Sequence, residues 1–311
     1  MRIVPECLSC IIDDILEALV LLDAPRKDVD AILSEVLTYL GRHYPSNEPA
    51  SYYITEAHRI VKRRLNLDMP FSTLREICLL SCKEIARTVA REASGLSGQE
   101  KTRLLMRWAI AANTLDFRAA GAGYGIATAR IEKMIRERFD AGLDVDDCDR
   151  IVRAVAAARR IVYIPDNVGE LPFDKLLIAD FGSHGARFTV PFRGGPITSD
   201  VVLADATAVQ MQEAADRIIL SGPDTLGVSF KEMTDECSSA LAQADVIIAK
   251  GQANFYVLSE FGGQFPNAAI VSLFVTKCNY VSGLFGCEGR INVAAVIKDP
   301  NGPISIGKKT P

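Results

Sequence analysis

The chain has 311 residues, 49% hydrophobic and 24% charged, with a net charge of −4 and a pI near 5.6. That balance describes a globular protein with room for a substantial core, and its scattered basic residues argue against a nucleic-acid surface. No apolar run approaches a membrane span, and MRIVPECLSC lacks the basic start and apolar stretch of a secretory signal, so the cytosol is the expected compartment.

The first half reads as helix throughout. Leu8, Ile11, Ile12, Ile15 and Leu19 keep a 3.6-residue period, and so do Val29, Ile32, Leu33, Val36, Leu37 and Leu40. RHYPSNEPASYY interrupts the pattern with two prolines, and helices are expected again at about 50–65, 71–93, 98–117, 124–138 and 145–158. Ser97 with Glu100 has the spacing of a capping box. Of the eight cysteines, Cys7-x-x-Cys10 and Cys78-x-x-x-Cys82 would each share a helix face, and four thiolates would suit a structural zinc. Their flanks supply no knuckle turns, and a buried free cysteine is an ordinary small hydrophobe, so core packing is the competing expectation.

After Ile161 the pattern changes. Short apolar runs at 161–164, 188–192, 217–220, 245–249, 269–275 and 292–297 alternate with segments long enough for helices. Strands alternating with helices predict right-handed crossovers and a mostly parallel sheet covered on both faces. The expected architecture is therefore a helical part, about 1–150, packed on a three-layer α/β part, about 151–311.

Ligands of an open parallel sheet bind beyond the carboxyl ends of its strands, so the residues after each run matter most. Asp166-Asn167 follows the first run and RGGPITSD, with Arg193 and Asp200, the second. SGPD follows the third, Lys250-Gly251-Gln252 with Asn254 the fourth, and Lys277-Cys278-Asn279 the fifth. A single Asp-Asn is ordinary turn chemistry. Parallel strands deliver all five ends to one edge, and that makes a site. Asp166, Asn167 and Asp200 are hard oxygen ligands for a divalent cation, and no histidine joins them to favour zinc. Gly251 and the N–H groups after it offer an anion nest, and Lys277 supplies a point charge for phosphate. A divalent cation beside a phosphate cradle points to phosphoryl chemistry. GAGYG at 121–125 lacks the last glycine of a dinucleotide fingerprint, and neither a P-loop nor a nucleophile elbow is present.

PDNVGE (165–170), RGGPITSDVVLADA (193–206), KGQANFYVLSE (250–260) and TKC (276–278) together resemble the metal-dependent damage-control phosphatase family. PECLSC (5–10) resembles the Cys-x-x-Cys of its archaeal-type branch, and NTLDF (113–117) an Asn-x-x-Asp of its helical part. The resemblance spans essentially the whole chain and implies helical domains on a three-layer α/β domain. It implies a divalent metal (Mn²⁺, Mg²⁺, Co²⁺ or Ni²⁺) on Asp166, Asn167 and Asp200, and phosphate contacts from Lys250, Gly251, Gln252, Asn254 and Lys277. It also implies that Asn113 and Asp116 reach the leaving group, where hydrogen bonding at a helix end is the plainer role. Small phosphorylated metabolites, sugar phosphates or damaged phosphometabolites, are the implied substrates, with Asp166 as nucleophile or as the group that orients a water. The sequence departs from the family pattern at Ala112, Ser199, Ala253 and Tyr256. The rival expectations are S-adenosylmethionine-dependent carboxyl methylation, for which a metal set with a lysine is poor provision, and a non-catalytic metal- or nucleotide-binding module.

Overall fold

In the computed structural model, which describes residues 1–115 and 130–306, one seven-stranded sheet carries the molecule. Its strands are β1 Val145–Asp146, β2 Arg160–Ile164, β3 Arg187–Arg193, β4 Arg217–Gly222, β5 Val246–Lys250, β6 Ala269–Val275 and β7 Asn292–Lys298. Six of them fall on the apolar runs. β1 replaces the first residues of the helix expected over 145–158: the N–H groups of Asp144 and Asp147 donate to Asn292 and Ala294 of the β7 edge, and the helix starts at Cys148.

The strand order is β1-β7-β6-β5-β2-β3-β4, with β7 antiparallel to β6 and the pairs from β6 to β4 parallel. From β2 the chain moves outward to β3 and β4. From β5 it moves the other way, to β6 and β7. The neighbouring strands β2 and β5 therefore form the topological switch point, the place where an open sheet leaves a crevice beyond its carboxyl ends.

The helices are α1 Pro5–Leu21, α2 Arg26–His43, α3 Ala50–Leu65, α4 Ser72–Ser94, α5 Gly98–Ala111, α6 Ile131–Asp140, α7 Cys148–Ala157, α8 Leu171–Gly182, α9 Leu203–Ala208, α10 Asp235–Gln243, α11 Gly251–Phe261 and α12 Asn279–Leu284. Alternate strand residues feed opposite layers. Ile161 and Tyr163 of β2 join Trp108 of α5, Phe173 of α8 and the buried face of α4. Val162 and Ile164 join α1, α2, α3, α10 and α11. Burial on both faces is why these strands read as unbroken apolar runs rather than as alternation. Ser97 does precede α5, but its side chain caps nothing. Gly98, at φ +55°, turns the chain away at the first helical residue and removes the capping-box geometry. Among the described residues no helix is long and apolar enough to cross a membrane.

Candidate active site

β2 ends against Pro165, and the next two side chains drop into the crevice between β2 and β5. Asp166 and Asn167 are buried there. The loop after β3 folds back antiparallel to them, with the Val168 N–H donating to Ser199 O at 2.8 Å and the Val201 N–H to Asp166 O at 2.9 Å. This pairing sets Asp200 beside Asn167.

The carboxylate of Asp166 is held by amides. Nδ2 of Asn113 (3.1 Å) and Nδ2 of Asn167 (2.8 Å) both donate to its Oδ2. Asn113 lies in the one-turn 3₁₀ segment after α5 and also accepts the N–H of Val275 at 2.9 Å, which ties the helical half to β6. Beneath Asp166 lies Gly251, at φ +78°, and a Cβ there would fall 1.8 Å from Asp166 Oδ2. Only glycine permits this approach, and it places the carboxylate at the start of α11, where the first N–H groups have no intrahelical acceptor.

Charge surrounds the pair. Oδ1 of Asp200 accepts the N–H of Gly227 at 3.1 Å and stands 3.0 Å from Nη2 of Arg193, an ion pair whose angle falls short of a hydrogen bond. Arg193 also donates to the carbonyl of Pro165 at 2.6 Å and so clamps the end of β2. Glu170 takes Nδ2 of Asn113 and of Asn167 at 2.6 Å each on one oxygen and Nζ of Lys250 at 2.5 Å on the other. Lys250 reaches Asp174 as well, at 2.8 Å, and Asp174 accepts the hydroxyl of Tyr163 at 2.7 Å. Burial alone would lower the pKa of the Lys250 ammonium, but Asp174 and Glu170 overcome this and hold it above the usual lysine range. The Asp166 carboxyl is pushed up to about 8, first by burial and then by Glu170 and Asp200, against the opposing charges of Lys277 and Arg193.

The expected residues thus separate by role. Asp166, Asn167, Asp200, Asn113 and Gly251 come together. Lys250 is turned beneath them, its ammonium between Glu170 and Asp174 at 0% exposure. The side chain of Asn254 is taken up by backbone, accepting from Val228 N–H and donating to Lys250 O, at 2.8 Å each. Gln252 accepts the Lys277 N–H at 2.8 Å and donates to Tyr256 Oη. Asp116 lies outside the described residues, as does GAGYG.

Glu170, Asp174, Arg193 and Arg75 complete the cluster; Glu170 and Arg193 stood inside quoted motifs and Asp174 just after one. Arg75 of α4 donates to the carbonyls of Thr198 (2.7 Å) and Asp200 (2.8 Å) and pairs with Asp205, fixing the loop that carries Asp200. Nothing in the local sequence of α4 signals that reach.

Lys277 is shared with a cavity of about 270 Å³ on the α1 and α3 side of the cluster, also lined by Gln252, Ala253, Tyr256 and Leu226. Cys7, Cys10 and Cys278 are in its wall too. Cys78 and Cys82 pack in the layer of α4 and α5, on the opposite face of the sheet from Cys7, so the four thiols do not converge on one zinc. Burial raises the pKa of Cys7 and Cys10.

Among the described residues no three His, Cys, Asp or Glu side chains are grouped to hold a metal ion. The set Asp166, Asn167 and Asp200 offers two carboxylates and an amide oxygen, and Ser199 Oγ donates to that amide oxygen. These donors still fit a hard divalent cation. Four buried carboxylates, of Asp166, Glu170, Asp174 and Asp200, face the buried cations Arg193 and Lys250, while buried Arg75 is paired with Asp205, so negative charge is left for a bound cation to offset.

Residues 3–291 match the model of the damage-control phosphatase ARMT1-like domain. The chain is 28% identical over 302 residues to a damage-control phosphatase of Archaeoglobus fulgidus, covering 96% of this chain and 100% of that one. It is 30% identical over 292 residues to damage-control phosphatase PH1575 of Pyrococcus horikoshii, covering 91% and 93%. A crystal structure of a DUF89 family protein (PH1575) from Pyrococcus horikoshii superposes with a TM-score of 0.83 at 25% identity, over 96% of this chain and 100% of that one.

Proposed function

The chain belongs to the damage-control phosphatase ARMT1-like family, and from that premise we propose that it is a divalent-metal-dependent phosphatase hydrolysing small phosphorylated metabolites. The observation that carries the reading is Asp166: a carboxylate buried with Asp200 and Glu170 at the switch point, under-neutralised, with the charge of Lys277 acting on it. Asp166, Asn167 and Asp200 would hold the cation, Mn²⁺, Mg²⁺, Co²⁺ or Ni²⁺, which when bound supplies positive charge to the phosphoryl oxygens.

The chain's own residues supply the rest. Asn113 and Asn167, both on Oδ2, fix the plane of the Asp166 carboxylate, and Glu170 fixes those two amides in turn. Lys250 is a positioning residue, because its charge allows Glu170 and Asp174 to be buried. Lys277 and the first N–H groups of α11 would take the phosphate oxygens, where preorganised charge is the main catalytic contribution. Asp166 would attack phosphorus or orient the attacking water.

The test is release of inorganic phosphate from a panel of phosphorylated metabolites with each of the four cations and after chelation. We expect release that requires a cation. No release from any ester with any of the four would overturn the reading.

A further inference from the structure

The cavity beside Lys277 has a chemistry of its own. Its inner wall is apolar, built by Ile11 of α1, Ile54 of α3, Leu226 of the loop after β4, and Ala253 and Tyr256 of α11. Ile11, Leu226 and Tyr256 are buried, and Tyr280 stands half exposed as another wall residue. Among the described residues Lys277 is the one lysine or arginine in the wall. Two carboxylates, Glu6 and Asp14, face the same space, and Asp14 is already engaged by Nε2 of His58 at 2.7 Å. The cavity is coupled to the cluster through Gln252, which accepts the Lys277 N–H at 2.8 Å while its amide nitrogen meets Tyr256 Oη.

We infer that this cavity is the leaving-group subsite and that it selects monophosphate esters of apolar or aromatic alcohols. The inference rests on the phosphatase reading and deepens it. Lys277 acts on Asp166 and also lines the cavity, so the alcohol of a phosphoryl group held between them enters a space whose inner wall is apolar. Engineered cavities of roughly 150 Å³ take benzene, so 270 Å³ holds a group of about two rings. A second phosphate would find no further lysine or arginine and would approach Glu6 and Asp14, which disfavours nucleoside di- and triphosphates and bisphosphates.

Two measurements test this. The first compares kcat/KM for 1-naphthyl phosphate, glycerol phosphate and adenosine diphosphate under one metal condition. The second titrates 1-naphthol calorimetrically into the metal-free protein, so that the cavity is read independently of turnover. We expect naphthyl phosphate to be preferred over glycerol phosphate by about 100-fold or more, as expected for an apolar group filling an apolar pocket, and naphthol to bind at one site. Ile54→Glu, which places a carboxylate in the wall away from the acidic cluster, should weaken naphthol binding by at least about tenfold and collapse the preference. Equal hydrolysis of naphthyl and glycerol phosphates, a preference for the diphosphate, or no binding of naphthol to the folded wild type would overturn the inference while the phosphatase reading stands. No hydrolysis of any ester would overturn the phosphatase reading, and the leaving-group role with it.

Discussion

Arg193 decides what a substitution at Asp200 does. Strand-end loops contribute little core as a rule, so the sequence suggests that Asp200→Ala removes a ligand and leaves the fold alone. The structure says otherwise, because Arg193 is 1% exposed and Asp200 is its carboxylate partner. Asp200→Ala should therefore cost roughly 3–5 kcal/mol in urea unfolding, the range for breaking a buried pair, besides abolishing metal binding. Asp200→Asn keeps an oxygen for Gly227 and Arg193 and should cost less than half as much while still losing the metal. Calorimetric Mn²⁺ titration beside urea unfolding separates the two effects, and unchanged stability in the alanine variant would contradict the assigned pair. The two lysines divide in the same manner. Lys250→Met strands Glu170 and Asp174 and should destabilise by roughly 3–5 kcal/mol. Lys277→Met should stay within about 1 kcal/mol of wild type but lower kcat/KM by about two to three orders of magnitude with metal affinity kept. Equal unfolding midpoints for the two variants would refute this division. Asp166 and Asn167 were legible because the apolar run of β2 shows where the chain leaves the sheet edge, and Asp200 because it closes the polar segment that follows β3. The partners of Lys250 were not, because Glu170 and Asp174, four residues apart, carry the spacing of any solvated helix face.

At the scale of elements, the turn from β5 into α11 is the least forgiving. Gly251→Ala meets Asp166 Oδ2 at 1.8 Å in a left-handed backbone conformation, so the helix start and the carboxylate cannot both stay. We expect at least about 3 kcal/mol of destabilisation, above the usual cost of a point substitution. In an Asp166→Ala background, where the obstructing carboxylate is gone, the same change should cost only the strain of the backbone, about 1–3 kcal/mol. A double-mutant cycle in urea measures the difference, and strict additivity would show that the contact is not close. The elements themselves divided by length. Strands of five to seven residues buried on both faces announced themselves as apolar runs. β1, two residues long, exists only because β7 offers it an edge, and no local period can signal that.

Across the whole molecule, the cluster is assembled from segments that meet only in the finished sheet: Asn113 after α5, Asp166 after β2, Asp200 after β3, and Gly251 after β5. The fold class was readable from the alternation of runs. The inward reach of Arg75 was not, because it depends on how the helical half lies against the strand ends, and Asn113 was reached only through the family resemblance of NTLDF. The triad of Lys250, Glu170 and Asp174 has a further effect, on the order of folding. Lys250 follows its partners by 80 and 76 residues. During synthesis they therefore wait for it by roughly 4–16 s at ordinary rates of elongation. Through that interval α8 cannot settle onto β2 without burying two carboxylates with no cation among them. The centre of the sheet must then close late and as a unit, when β5 arrives. In pulse-labelled refolding, the amides of β2 and β5 should become protected in the same phase. Protection of β2 well ahead of β5 would show that the carboxylates find another way in.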